Sequence, residues 1–313
     1  MSAKQRGIAW MLVSALAYSL FTVFGKNILE QLGTTDVLFW RFAIAAPVAW
    51  AVVAIRRASG FGPSPLAVDW RPRFAAGVVF GLLAYLAFAS LDRLPGALYI
   101  VICYTYPAMV AIGARAMGKP TTRHMWWAVF ITLLGIAFTV PEVVDGAGDS
   151  AVIGMIITLG NAFLYACYIL FSERIVATEP TDDGSHHNSG DGFVAAAWGL
   201  TGSFLLAAIF ALGAGGVEAP SGPKYVWSMI ALGVVSTVIS GTAFFLGVKH
   251  LGPAPAALVA ATEPVLTLIW VVLILDESLV PIQILGAVLV IVGVIWSQKV
   301  PKINEPARVV PAP

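Results

Sequence analysis

Leu94-Pro95-Gly96-Ala97 and Tyr106-Pro107 in one part of the chain answer to Leu251-Gly252-Pro253-Ala254 and Glu263-Pro264, 157 residues later. The apolar run after each pair ends alike, in Leu134-Gly135-Ile136 and, 158 residues on, in Val292-Gly293-Val294. The start of the chain repeats as well: Gly7, Ala15, Tyr18, Phe24 and Ile28 recur 147 residues later as Gly154, Ala162, Tyr165, Phe171 and Ile175. A duplicated block of apolar segments is the pattern of a transporter built from two related halves. Chance likeness among apolar segments is the competing reading, and the shared order of the matched regions weighs against it.

Hydrophobic residues make up 59% of the 313 and charged residues 11%, against about 25% charged in a soluble domain. A soluble fold of this size has too little interior to hide so much apolar surface, so the solvent is lipid. A net charge of +1, with no basic patch interleaved with aromatics, gives no sign of a nucleic-acid partner. Cys103 and Cys167 lie inside apolar runs, which indicates neither a disulfide framework nor a metal site. In the 179–192 loop, His186-His187 stand near Asp182, Asp183 and Asp191, but adjacent residues in a polar linker seldom preorganise a metal site. No Gly-rich phosphate loop is present, so ATP-driven pumping is not expected. His124, His186, His187 and His250 fall in loops or at span ends and support no Ser-His-Asp set. Neither an enzyme nor a cofactor is expected.

A helix crosses the hydrocarbon core with about 17–25 apolar residues. Ten segments fit: 7–27, 35–55, 73–91, 96–116, 124–140, 151–173, 193–213, 225–248, 254–275 and 281–298. They are continuous rather than alternating, which disfavours a β-barrel. Turn residues separate several of them, as in Gly62-Pro63-Ser64-Pro65, Gly118-Lys119-Pro120 and Pro220-Ser221-Gly222-Pro223. The first run follows Lys4 and Arg6 as a signal peptide would. Its counterpart at 154–171 is mid-chain, so it reads as an uncleaved first span. With the N-terminus in the cytoplasm, 14 of the 18 Lys and Arg fall inside, Lys26, Arg93 and Lys224 fall outside, and Arg41 stays within a span. The positive-inside rule therefore places both termini in the cytoplasm.

The expected fold is an all-α integral membrane protein of ten transmembrane helices in two inverted five-helix repeats, 1–145 and 146–300, with a cytoplasmic tail at 301–313. Five spans per half invert the second half, which sets a pseudo-two-fold axis in the membrane plane and a substrate site near the bilayer centre.

Glu263, in the middle of the ninth segment, costs about 2.5–3.5 kcal/mol to insert and should face protein or water. It reads as a proton relay or an anchor for a substrate ammonium, or else as a carboxyl that holds helices together. Ser14 and Tyr18 share one face of the first span; Asn161, Tyr165 and Tyr168 share one face of the sixth. These faces either line a cavity or pair across helices. Tyr106 is the counterpart of Glu263 and, with Tyr85, completes the candidate substrate-binding set. Arg41 lies about two turns into its span, within snorkelling distance of the interface; it reads either as a contact for a carboxylate or as an orientation signal. The glycines of the third and eighth spans read as close-packing positions.

Leu251-Gly252-Pro253-Ala254, Glu263-Pro264, Leu275-Asp276-Glu277-Ser278-Leu279 and Gln283-Ile284-Leu285-Gly286-Ala287 resemble the signature of EamA-type permeases of the drug/metabolite transporter superfamily. The first half resembles it at Lys26, Arg41 and Tyr106-Pro107, and departs from it at Gly118-Lys119, where the family often has Gly-Glu. The resemblance covers residues 7 to 298 and implies ten helices in inverted halves and secondary transport, often export, of small metabolites such as amino acids. The function expected is therefore a transporter of the cytoplasmic membrane that works by alternating access, with a small-molecule substrate, the bilayer as its surroundings and proton coupling through Glu263. Amino-acid export leads; a broad multidrug or organic-cation exporter is the alternative, ahead of a non-transporting subunit or enzyme.

Overall fold

Lipid offers no partner to a peptide group, so a chain that lives in it must close its backbone hydrogen bonds internally. The computed structural model describes residues 2–66, 68–91, 93, 99, 102–119, 121–139, 149–176, 191–275 and 280–298, and every regular element among them is helical. Leu94-Pro95-Gly96-Ala97, the His186-His187 stretch, Asp276-Glu277-Ser278-Leu279 and the 301–313 tail lie outside the described residues.

The helices are α1 (Ala3–Ser19), α2 (Phe21–Leu29), α3 (Thr34–Ala58), α4 (Trp70–Leu91), α5 (Tyr106–Ala116), α6 (Arg123–Thr139) and α7 (Asp149–Val176). They continue with α8 (Gly192–Gly213), α9 (Pro223–Gly233), a π-helical segment (Val234–Ile239), α10 (Ser240–Leu251), α11 (Pro253–Ala260), α12 (Glu263–Leu275) and α13 (Pro281–Gln298). Six stretches are long and apolar enough to cross a membrane: Ala3–Leu29, Thr34–Ala58, Trp70–Ser90, Val152–Val176, Gly192–Gly213 and Pro223–Leu251. Arg123–Phe138 and Pro281–Ser297 are shorter apolar helices. The chain is a multi-pass membrane protein.

Four segments read as unbroken spans are not continuous α-helix. The first is interrupted at Leu20, between α1 and α2. The fourth turns at Tyr104 and Thr105 before α5 begins. The eighth carries the π segment, and the ninth breaks at Ala261 and Thr262. Proline explains two of these. Pro107 and Pro264 have no N–H to give the carbonyl four residues back, so the helix restarts one residue before each of them.

The packing is inside-out by the standards of a soluble protein. Large apolar side chains such as Leu212, Leu273 and Phe163 stand 80%, 69% and 60% exposed, whereas the buried face of α8 is mostly small, with Ala195, Ala196, Ala197, Gly199, Gly202, Ser203, Ala207 and Ala211 beside Val194 and Leu200. Small residues let backbones approach, since in lipid dispersion and interhelical hydrogen bonds must hold helices together. At the crossing of α4 and α8, a Cβ on Gly77 would strike the Gly199 carbonyl and one on Gly202 would strike the Phe74 carbonyl. Ser203 Oγ donates to the Gly77 carbonyl at 2.7 Å across the same contact. α6 and α13 meet similarly, with Gly135 against Gly286 and Val290, and Gly293 against Ala128 and Thr132. Elsewhere α1 packs on the π segment and α10, α4 on α7, α3 on α8 and on α9, and α5 on α7.

Polar ties close both ends. At one, Lys224 Nζ reaches Glu30 at 2.9 Å, Trp40 Nε1 donates to the Glu218 carbonyl at 2.8 Å, and the Glu218 N–H donates to Asp36 at 3.1 Å. At the other, one Arg56 nitrogen bonds both Asp191 oxygens at 3.0 Å. Asp191 also caps α8 by accepting the Phe193 and Val194 N–H groups, and Lys119 pairs with Glu173.

The α4–α8 crossing has no room for a side chain, so Gly202→Leu is expected to destabilise the protein by about 1–3 kcal/mol or more. Thermal melts of the detergent-purified variant should show it. Gly160→Leu, where an added Cβ meets nothing within 4 Å, should melt like the parent; equal melting of the two variants would rule the crossing out as a tight contact.

Candidate functional site

A cavity opens where the interrupted helices meet. α1 supplies Ser14, Ala15 and Tyr18; α4 supplies Gly77 and Phe80; α7 supplies Tyr165 and Tyr168. Ala196, Gly199 and Leu200 of α8 line it too, with Thr237, Ser240, Gly241, Phe244 and Phe245 from the π segment and α10. Ala260 and Glu263, on either side of the break in the ninth segment, complete the wall.

Glu263 is the first residue of α12, where the free N–H groups and dipole of a helix start favour negative charge. The two breaks are built alike. Thr105 gives both its N–H (3.1 Å) and its hydroxyl (2.7 Å) to the Ile102 carbonyl. Thr262, 157 residues later, gives its N–H (3.1 Å) and hydroxyl (2.8 Å) to the Val259 carbonyl. A Thr-X-Pro triplet thus satisfies the carbonyl that the break exposes, and X is Tyr106 in one case and Glu263 in the other. Trp270 Nε1 donates to Ser19 Oγ at 2.8 Å and ties α12 to the end of α1.

Of the residues picked out from sequence, Ser14, Tyr18, Tyr165, Tyr168 and Glu263 line the cavity. Ser14 also makes an interhelical hydrogen bond, donating to the Ser240 carbonyl at 2.9 Å. Tyr165 and Tyr168 are stacked, and Tyr168 stacks in turn on Phe244. Tyr106 is buried behind this wall; its ring meets Tyr165 at 4.7 Å and its hydroxyl donates to the Ala257 carbonyl at 3.4 Å. Asn161 is buried outside the lining, and its side-chain oxygen has no hydrogen-bond partner. Tyr85 stands apart, on the outer surface against Phe210.

Arg41 does not snorkel. It is 1% exposed, and its guanidinium carbon lies 5.0 Å from the centre of the Phe21 ring, 5.3 Å from Phe42 and 5.9 Å from both Tyr18 and Phe80. Its Nε donates to Thr237 Oγ1 at 2.8 Å, while Nη2 has no partner. The π segment makes this contact: Thr237 passes its own proton to the Leu232 carbonyl, five residues back, at 2.8 Å. π-turns recur at functional sites. Each ring face contributes about 0.5–2 kcal/mol to a cation, whereas burial of an ion costs several kcal/mol. The signal missed in the sequence was aromatic: Tyr18, Phe21, Phe42 and Phe80 on three segments have no common partner until the fold collects them.

An all-helical membrane protein with a chamber at its helix breaks, walled by aromatics, hydroxyls and one carboxyl, has the design of a solute-handling membrane protein. The chain belongs to the EamA-like transporter family, whose profile matches residues 5–140 and again 152–297. It is 26% identical over 220 residues to an uncharacterized transporter of Synechocystis, across 68% of this chain and 62% of that protein's length, just under two thirds of it. It is 23% identical over 287 residues to the uncharacterized transporter YcbK of Bacillus subtilis, across 90% and 88% of the two chains. The threonine/homoserine exporter RhtA of Escherichia coli K12 is 26% identical over 230 residues, across 69% and 70%. A solved crystal structure superposes with a TM-score of 0.78 over 94% of this chain and 96% of that one; at 17% identity this speaks for the fold alone.

Thr237→Val removes the acceptor of the Arg41 Nε–H in a buried setting and is expected to cost about 1.5–3 kcal/mol, read as a lower melting temperature in detergent. Thr237→Ser should restore it; a Val variant that melts like the parent would mean that Arg41 does not depend on this hydroxyl.

Proposed function

We propose that this protein is a secondary transporter that moves a small metabolite across the cytoplasmic membrane by alternating access, and that its activity is amino-acid export. The observation that carries this reading is the placement of Glu263, the only carboxyl among the described residues of the chamber wall, at a helix break, facing hydroxyls and aromatic rings from helices of both halves. Discontinuous helices at mid-membrane are where transporters hold solutes and coupling ions. The name of the Escherichia coli relative, a threonine/homoserine exporter, supports an amino acid as cargo.

The architecture proposed is two inverted five-helix repeats, 1–145 and 146–300. Two successive matches to one family profile support it. So does reciprocal packing. Under the sequence correspondence, the contact of α1 with the π segment and α10 maps onto that of α7 with α4, and the contact of α5 with α7 onto that of α11 and α12 with α1. The contacts α3 with α8 and α6 with α13 map onto themselves, as a two-fold axis requires. Alternating access then rocks one half against the other around the chamber. Both termini lie in the cytoplasm, on the strength of the positive charges assigned there. Tyr106 and Asn161, buried behind the lining, act with it as the halves move, and Glu263 relays the coupling proton. The stacked rings around one carboxyl also favour a second reading, a broad organic-cation exporter.

In proteoliposomes, Glu263→Gln is expected to lose the pH dependence of flux. Flux with unchanged pH dependence would remove Glu263 from the coupling role. Uptake of the same substrate into inside-out vesicles should exceed that into right-side-out vesicles, and the reverse would make the protein an importer.

A further inference from the structure

Three ion pairs occur among the described residues, Arg56–Asp191, Lys119–Glu173 and Lys224–Glu30, and Arg41 belongs to none of them. A buried guanidinium without a carboxylate is an expensive arrangement, because its charge has left water and nothing of opposite sign has replaced the hydration. The rings of Phe21, Phe42, Tyr18 and Phe80 surround the cation. Thr237 takes one of its N–H groups, and Nη2 keeps its donors unspent.

The position of the group gives this shortfall a meaning. Tyr18, Phe80 and Thr237, three of its neighbours, each line the chamber. Arg41 therefore borders the chamber, one side chain behind its surface. Tyr18 stands beside the guanidinium and lines the chamber together with Glu263. Behind the lining thus stands a cation with an unpaired donor nitrogen, and on the lining a carboxyl that no Lys or Arg of the described residues pairs with. Resting on the transport reading above, we propose that Arg41 is the carboxylate anchor of the chamber and that the cargo is a zwitterion, its carboxylate on Arg41 and its ammonium on Glu263.

The fork of N–H donors in a guanidinium matches a carboxylate in a way that an ammonium cannot. Charge balance selects the class. A cation would pair with Glu263 and leave Arg41 facing a like charge; an anion would pair with Arg41 and leave Glu263 alone. A molecule carrying both ends neutralises the pair, and the rings of Tyr168, Phe244 and Phe80 are left to pack the remainder of an α-amino acid.

Thermal shift of the detergent-purified full chain can test this, since a ligand that binds the folded state raises its melting temperature. The probes are the protein L-amino acids, the methyl ester and N-acetyl derivative of the best binder, and tetraphenylphosphonium as a plain organic cation. The free amino acid should bind; both capped derivatives should need about ten- to hundred-fold higher concentration. Arg41→Met should lose the response to the amino acid while its ligand-free form melts no lower than the parent, because an apolar replacement relieves a buried charge. A lower ligand-free melt with amino-acid binding intact would make Arg41 a packing strut and overturn the proposal. An ester that binds as well as the free acid overturns it too, and that comparison stands even if the Met variant does not fold. Binding of tetraphenylphosphonium alone would keep the transport reading and sink the zwitterion; no response to any probe would sink both.

Discussion

A peptide group in hydrocarbon has nowhere to turn but to its own chain, so each departure from α-helix must be repaired by neighbouring protein or open onto a polar space. Every interruption here meets that demand in a visible way. Thr105 and Thr262 each close a carbonyl twice over, with backbone and hydroxyl. In the π segment and at the start of α10, the hydroxyls of Thr237 and Ser240 donate to the Leu232 and Ser236 carbonyls. Ser19 Oγ, beside the interruption at Leu20, donates to the Leu16 carbonyl and accepts from Trp270. Such places are few, and the chamber lies among them. The same polar groups that excuse an irregular backbone also give a solute something to hold.

The rest of the chain serves as a frame around that chamber, and its chemistry is plain. Glycine brings α4 against α8 and α6 against α13 so closely that a Cβ at Gly77, Gly202, Gly135 or Gly293 would clash, while bulky side chains face outward into lipid. Charge is kept to the ends, in pairs such as Arg56 with Asp191. Only Arg41 and Glu263 break this rule among the charged residues described near the chamber, which sets them apart from the framework.

Much of the helical content could be seen in the sequence, because length and hydropathy mark an apolar segment and Gly-Pro clusters mark its end. The shared faces of Ser14 with Tyr18 and of Tyr165 with Tyr168 could be seen too, since helical spacing alone places them together. Continuity could not. A hydropathy window weighs composition and has no access to hydrogen-bond register, so it ran through Thr105, the 234–239 segment and Ala261-Thr262 without pause. Pro107 and Pro264, each preceded two residues earlier by a threonine, were the available hint. Arg41 was misjudged for a related reason. Its depth in the span suits an escape to the interface, and only the tertiary arrangement shows four rings gathered round it. Tyr85 shows the converse, a polar aromatic of the right type whose face of α4 turns to the outside.

The paired Thr-X-Pro triplets differ at X, and the difference has spread. Tyr106 has turned its hydroxyl to the Ala257 carbonyl, in the helix that leads to the other triplet, so the phenol braces the very turn that displays Glu263. A scaffold with two equivalent stations has thereby become lopsided: one station is a prop and the other a hook. A room so furnished offers its hook from one side alone, where a perfectly doubled room would have offered it from both.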